Sequence, residues 1–102
     1  MNTLEKWLHQ PQEREGTYMF SGKFFVTAGI QQALTQEEIF HIYLFIKLLA
    51  KEKENLDYLQ VFVHKESDQK LFFIDQLNKE MIDSGKYSSE DNYCTLLFAH
   101  EY

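Results

Sequence analysis

The 102-residue sequence has little of what disulfide-bonded, flexible or membrane-spanning proteins require. Its single cysteine, Cys94, excludes an intramolecular disulfide and fits a reducing compartment. One proline and four glycines leave no room for a flexible linker. The longest apolar run, residues 42–46, is far shorter than the ~20 residues of a membrane helix, and the N-terminus lacks a signal-peptide pattern. We therefore expect a soluble protein of the cytoplasm.

Apolar side chains are abundant, whereas basic side chains are not. The sequence is 44% hydrophobic, with nine Phe and six Tyr, which predicts one globular domain. Its formal net charge is −6, and residues 57–102 contribute −5 because they hold nine acids and four bases. An acidic surface repels phosphate, so direct nucleic-acid binding is disfavoured. Such a surface keeps a protein in solution or competes with nucleic acid for a basic partner.

Residues 35–53 predict one long helix with two apolar stripes. Thr35 and Glu38 have the spacing of a capping box at its start. At about 100° per residue, an ordinary core face comprises Ile39, Ile42, Tyr43, Ile46, Leu49 and Ala50. A second stripe, called the helix stripe below, recurs at every fourth residue and comprises Phe40, Leu44 and Leu48. Something must cover the helix stripe, or it binds a partner.

The N-terminal third predicts a short helix followed by a hairpin. Residues 3–10 form the helix, with Thr3 as its cap and one apolar face made of Leu4, Trp7 and Leu8. Residues 17–20 and 23–27 predict two strands joined by a tight turn at Ser21 and Gly22. The N-terminal helix can cover the helix stripe by placing Trp7 and Leu8 against Leu44 and Leu48.

The C-terminal half predicts three strands. Residues 58–64 and 70–74 alternate and predict a second hairpin, and residues 93–99 predict a final strand. Between them, residues 76–83 fit a short helix capped by Asp75, unless residues 71–77 form one longer strand. The sum is an α+β domain: a four- or five-stranded antiparallel sheet packed on one long central helix, with short peripheral helices.

The sequence contains no recognisable catalytic or metal-binding constellation. Its four histidines have no metal-ligand spacing among themselves or with Cys94. Cys94 lies in an apolar run, which predicts a buried, inert thiol. Five acids lack the spacing of a calcium-binding loop and instead predict a solvated acidic surface: Asp75, Glu80, Asp83, Glu90 and Asp91. We therefore expect no enzyme activity, no metal and no cofactor.

Three segments resemble a family of small Firmicute proteins known as domain-of-unknown-function family 960. They are FVTAGI at residues 25–30, LDYLQVF at residues 56–62 and NYCTLLFAHEY at residues 92–102. The resemblance spans residues 24–102, which makes residues 1–20 an N-terminal extension within a single domain of residues 1–102. It implies a mobile-element setting, such as a plasmid, a phage or a chromosome cassette, and it supplies no catalytic residues.

These observations predict a small, acidic, non-enzymatic accessory protein of a mobile genetic element that binds another protein. One concrete form is an inhibitor of a host defence or DNA-processing protein with a basic surface. The candidate interaction surface is the helix stripe together with Trp7, and three occupants stay open: the N-terminal helix, a second copy or a foreign protein. The alternative function is nucleic-acid binding in plasmid or cassette maintenance. No membrane partner is expected.

Overall fold

A five-stranded sheet and one long helix form the framework of the computed structural model, which describes residues 6–102. The strands are β1 (Trp7–Gln10), β2 (Lys23–Val26), β3 (Leu59–His64), β4 (Lys70–Asp75) and β5 (Tyr93–Phe98). The helices are α1 (Ala28–Ala33), α2 (Gln36–Lys53) and α3 (Lys79–Asp83), with short 3-10 turns at Ser89–Asp91 and Ala99–Glu101. Among residues 6–102, no helix is both long enough and apolar enough to span a bilayer.

The sheet is mixed rather than antiparallel. Its strand order is β1-β3-β4-β5-β2, and β2 runs parallel to β5 while the other neighbours are antiparallel. The α+β class, the five strands and the single long helix are confirmed, and the all-antiparallel prediction is wrong. The reason is that β2 does not pair with the segment just before it, but with the last strand of the chain.

The predicted hairpin over residues 17–27 does not form. Phe20 has a left-handed backbone with φ of 52°, and Tyr18 makes one isolated bridge to Asn78, so residues 17–20 are not a strand. Gly22 is needed for a close approach instead of a turn, because a Cβ there would lie 2.1 Å from the carbonyl oxygen of Asn92. That approach brings the start of β2 alongside β5.

Residues 7–10 form an edge strand and not the predicted N-terminal helix. β1 pairs antiparallel with β3, with Trp7 opposite His64. Trp7 and His9 face the core while Leu8 faces the opposite side, which is the period of a strand. The available edge of β3 thus overrides the local helical pattern. Residues 3–5 of that prediction lie outside the described residues.

Helix α2 agrees closely with its prediction. The Thr35 hydroxyl accepts the Glu38 N–H at 3.0 Å, and the Glu38 carboxylate accepts the Thr35 N–H at 2.9 Å, which confirms the capping box. The helix packs against the inner face of the sheet through a buried stripe that includes Ile42, Ile46 and Ala50. The sheet side of this core comprises Trp7, Phe62, Leu71, Phe73, Cys94, Leu96 and Phe98.

The remaining elements agree with prediction only in part. The β3–β4 hairpin and the final strand are confirmed. α3 begins at Lys79 with Asn78 as its cap, so Asp75 is not the capping residue. Asp75 instead ends β4 and faces the core. Helix α1, which was not predicted, begins where the Thr27 hydroxyl accepts the N–H of Ile30 at 3.2 Å.

Candidate interaction surfaces

The helix stripe lies on the solvent side of α2. Phe40, Leu44 and Leu48 are 55%, 39% and 59% exposed, whereas Ile42 and Ile46 on the opposite side are fully buried. The helix stripe is therefore a continuous apolar surface in contact with solvent. Glu37 and Lys51, both exposed, stand at its two ends.

Among the described residues, the predicted covering of the helix stripe by an N-terminal helix is absent. Trp7 is only 4% exposed, because it packs into the core with its ring 4.8 Å from that of His64. Leu8 points to the other face of the sheet and is 49% exposed. The predicted contact of Trp7 and Leu8 with Leu44 and Leu48 is therefore wrong. Trp7 is a core residue and leaves the helix stripe open.

Four of the five acids predicted to form an acidic surface are exposed. Glu80, Asp83, Glu90 and Asp91 all lie in the connection from β4 to β5. Some of them also stabilise that connection, because Asp91 accepts the Ser88 N–H at 3.1 Å and Glu80 accepts the Thr17 hydroxyl at 2.6 Å. This connection lies at one end of the sheet and also exposes Lys79 and Lys86.

Asp75 does not belong to that surface, because it is 3% exposed. Its carboxylate accepts the N–H of Phe20 at 2.8 Å and that of Gln76 at 2.9 Å. Burial raises the pKa of Asp75 to about 6, although these hydrogen bonds and the charge of Lys47 oppose the shift. The Lys47 ammonium donates to the Phe20 carbonyl at 2.9 Å. Asp75 and Lys47 thus hold the strained backbone of Phe20 between them.

Cys94 is buried opposite Asp75 in the β4–β5 ladder, which confirms the prediction of a buried thiol. Burial, reinforced by the negative charge of Asp75, raises the pKa of Cys94 to about 12. A thiol with that pKa is a poor nucleophile at neutral pH. Among residues 6–102, no group of three or more His, Cys, Asp or Glu side chains is placed to hold a metal ion.

A buried amide network was not predicted from the sequence. Gln60 is 1% exposed, and its amide nitrogen donates to the Gln12 side chain at 2.8 Å and to the Asp57 carbonyl at 3.0 Å. Its amide oxygen lies 2.8 Å from His9 Nε2. Burial lowers the pKa of His9, with the Gln60 hydrogen bond opposing the shift. The network ties His9 and Gln12 to β3.

An uncharged groove runs between edge strand β2 and helix α2. Its volume is about 620 Å³, and we call it the β2 groove. None of its lining residues is charged: Phe24, Val26, Gln31, Leu34, Gln36, Ile39, Phe40 and Tyr43. Phe40 thus belongs both to this groove and to the helix stripe. Phe24 stacks on Tyr43 with ring centroids 4.4 Å apart, which fixes α2 beside β2.

The sheet face turned away from α2 is a further apolar surface, the open sheet face. The strand register places on it Leu8, Gln10, Lys23, Phe25, Leu59, Val61, Val63, Lys70, Phe72, Ile74, Tyr93, Thr95 and Leu97. Leu8 and Phe25 are about half exposed, and the strands contribute two lysines and no acid to this face. A cavity of about 370 Å³ adjoins it beside residues 10–14.

The sequence thus identified the helix stripe and most of the acidic surface, but neither the groove nor the open sheet face. Both surfaces depend on the strand order, in which β2 pairs with β5 although the two strands are far apart in the sequence. The strand at residues 23–27 was predicted, but its parallel pairing with β5 was not. No family model, curated protein or solved structure matches the chain.

Proposed function

We propose that this is a small, non-enzymatic accessory protein that occupies a surface of another protein through its helix stripe. The exposure of Phe40, Leu44 and Leu48 carries the proposal. Removing the exposed part of each side chain from water contributes on the order of 1 kcal/mol. Apolar anchors at every fourth residue on one helix face are also the pattern by which a helix enters a partner's groove.

The charge distribution supports a basic partner. Glu80, Asp83, Glu90 and Asp91 all lie in the β4–β5 connection, which also holds Lys79 and Lys86, in a chain whose net charge is −6. The net negative charge attracts a basic surface and speeds encounter with it, while the apolar helix stripe sets the lifetime of the complex. An inhibitor of a host defence or DNA-processing protein fits this chemistry. The family resemblance supports a mobile-element setting.

Quantitative affinity capture from host extract tests the proposal. The tagged protein is compared with Leu44→Glu, which places a charge at the centre of the helix stripe, and with the matched control Leu8→Glu on the open sheet face. We expect a specific partner whose recovery falls by roughly tenfold or more with Leu44→Glu and is unchanged by Leu8→Glu. Recovery should also fall as salt rises, because surface charges are screened.

Equal recovery by all three proteins would contradict the role of the helix stripe. Circular dichroism checks that each variant is folded before capture. Leu44 and Leu8 are 39% and 49% exposed, so each substitution also removes packed apolar surface and is expected to lower the free energy of unfolding by on the order of 1 kcal/mol, similarly in the two variants.

A second candidate function, binding of single-stranded nucleic acid, is favoured by one observation. The open sheet face combines Phe25, Phe72 and Tyr93 with Lys23 and Lys70, and bases stack on aromatic side chains while lysines attract phosphate. The net charge of −6 opposes this function.

A fluorescence titration with labelled single-stranded DNA separates the two functions. Binding that weakens with salt and is lost in Phe72→Ala, but not in Phe40→Ala, would favour the nucleic-acid function. Absence of binding at low salt would exclude the open sheet face as a nucleic-acid surface.

A further inference from the structure

Strand β2 has an open edge among the described residues. It is last in the strand order, and the N–H groups of Lys23 and Thr27 donate to Asn92 and Leu96 on the β5 side, at 3.1 and 3.2 Å. Because backbone groups alternate along a strand, those of Phe24 and Val26 point to the open side. Such an edge is a template for another strand unless charge, proline or a bulge protects it. Residues 24–26 contain no charge and no proline.

We propose that a second copy of this chain occupies this edge, with two β2 strands pairing antiparallel about a two-fold axis at Phe25. In that register Phe24 lies opposite Val26 of the second copy, so the two open edges exchange four backbone hydrogen bonds. The two five-stranded sheets then form one continuous sheet. The contact is isologous, as in most homodimers.

The side chains of β2 suit self-pairing. Phe25 is 50% exposed and falls on the axis, where it meets its own copy at the close Cα separation of a non-hydrogen-bonded pair. On the opposite side, the β2 groove is lined by eight residues without a charge. A two-fold contact brings like residues together, so a neutral lining avoids repulsion in a chain of net charge −6.

Charge complementarity favours a second copy over a foreign strand. The proposed register places Lys23 opposite Thr27 of the second copy. The Thr27 hydroxyl donates to the Glu101 carboxylate at 2.8 Å, and both Lys23 and Glu101 are exposed. Each Lys23 therefore meets a Glu101 from the other chain, and the symmetry makes two such ion pairs. Both charges of the proposed ion pair, Lys23 and Glu101, therefore lie at the β2 edge of one chain.

Light scattering coupled to size exclusion tests the dimer with the full chain. The wild type is expected at twice its 12.2 kDa mass at micromolar concentration. Lys23→Glu brings two carboxylates together at each contact, and Glu101→Lys brings two ammonium groups together, so each variant alone should raise the dimer Kd by roughly tenfold. An equimolar mixture of the two variants should recover the dimer, because the heterodimer contains one native pair and one reversed pair.

The Lys23→Glu variant remains informative if Glu101→Lys fails to fold. Within residues 6–102, no hydrogen bond involves the Lys23 side chain, whereas Glu101 accepts the Phe98 N–H at 2.8 Å. A wild type that stays at 12.2 kDa would overturn the proposal. So would a dimer that is unaffected by Lys23→Glu but dissociated by Leu44→Glu, because its contact would then lie on the helix stripe. Dissociation by Lys23→Glu with recovery on mixing supports it.

Discussion

The buried carboxylate of Asp75 helps to position strand β2. Its carboxylate holds the N–H of Phe20, two residues before Gly22 and the start of β2. Because burial raises its pKa to about 6, the protonated form is favoured in the folded state relative to the unfolded value of 3.8. The stability that comes from this preference is fully present below pH 3.8 and is lost as the pH rises through about 6.

Urea unfolding of the wild type and Asp75→Asn between pH 4 and 7 measures this effect. The free energy of unfolding of the wild type should decrease relative to the variant, by at most about 1.4 kcal/mol per pH unit, and level off above the folded pKa. The exposed Asp68→Asn serves as the matched control and should show no such trend. A wild-type advantage that grows with pH would contradict the raised pKa.

At the scale of single residues, the sequence predicted burial correctly where neighbouring residues in the chain determine it. Cys94 lies in an apolar run, and its burial followed from that run. Asp75 was misplaced on the surface because its burial depends on Phe20, which is 55 positions away in the chain. Gln60 was missed for the same reason, since His9 and Gln12 are 51 and 48 positions away. Spacing in the sequence contains no signal for such contacts.

At the scale of elements, the start of α2 rests on the Thr35–Glu38 capping box. Thr35→Ala removes the hydroxyl that accepts the Glu38 N–H, so the free energy of unfolding should fall by about 1 kcal/mol. The neighbouring exposed residue Gln36 offers the control Gln36→Ala, expected within about 0.5 kcal/mol of the wild type. Urea unfolding at neutral pH compares the three. Equal losses in both variants would argue against a specific role for the cap.

Elements held by local patterns were predicted well; strands β2 and β5 were also predicted, but the pairing of segments distant in the chain was not. The α2 helix and the β3–β4 hairpin depend on neighbours a few residues away, through capping and a short turn. β1 and β2 exist because β3 and β5 offer them edges. Their segments are four residues each, too short for periodicity to separate helix from strand or hairpin from parallel pairing.

At the scale of the whole molecule, the fold leaves apolar surface on three sides of one sheet layer. α2 covers the inner face but turns the helix stripe to water, β2 leaves an open edge, and the open sheet face carries half-exposed Leu8 and Phe25. The amphipathic pattern of α2 predicted the first of these. The other two follow from strand order, which only the folded chain defines.

The central claim is that the helix stripe is where a foreign protein binds, and site-specific photo-crosslinking in host cells tests it most directly. A photoreactive side chain at position 44 should give one predominant adduct with a foreign protein. The same group at position 66, in the exposed β3–β4 turn, should give none. No adduct from position 44, an adduct of equal yield from position 66, or an adduct only with a second copy of this chain would contradict the account.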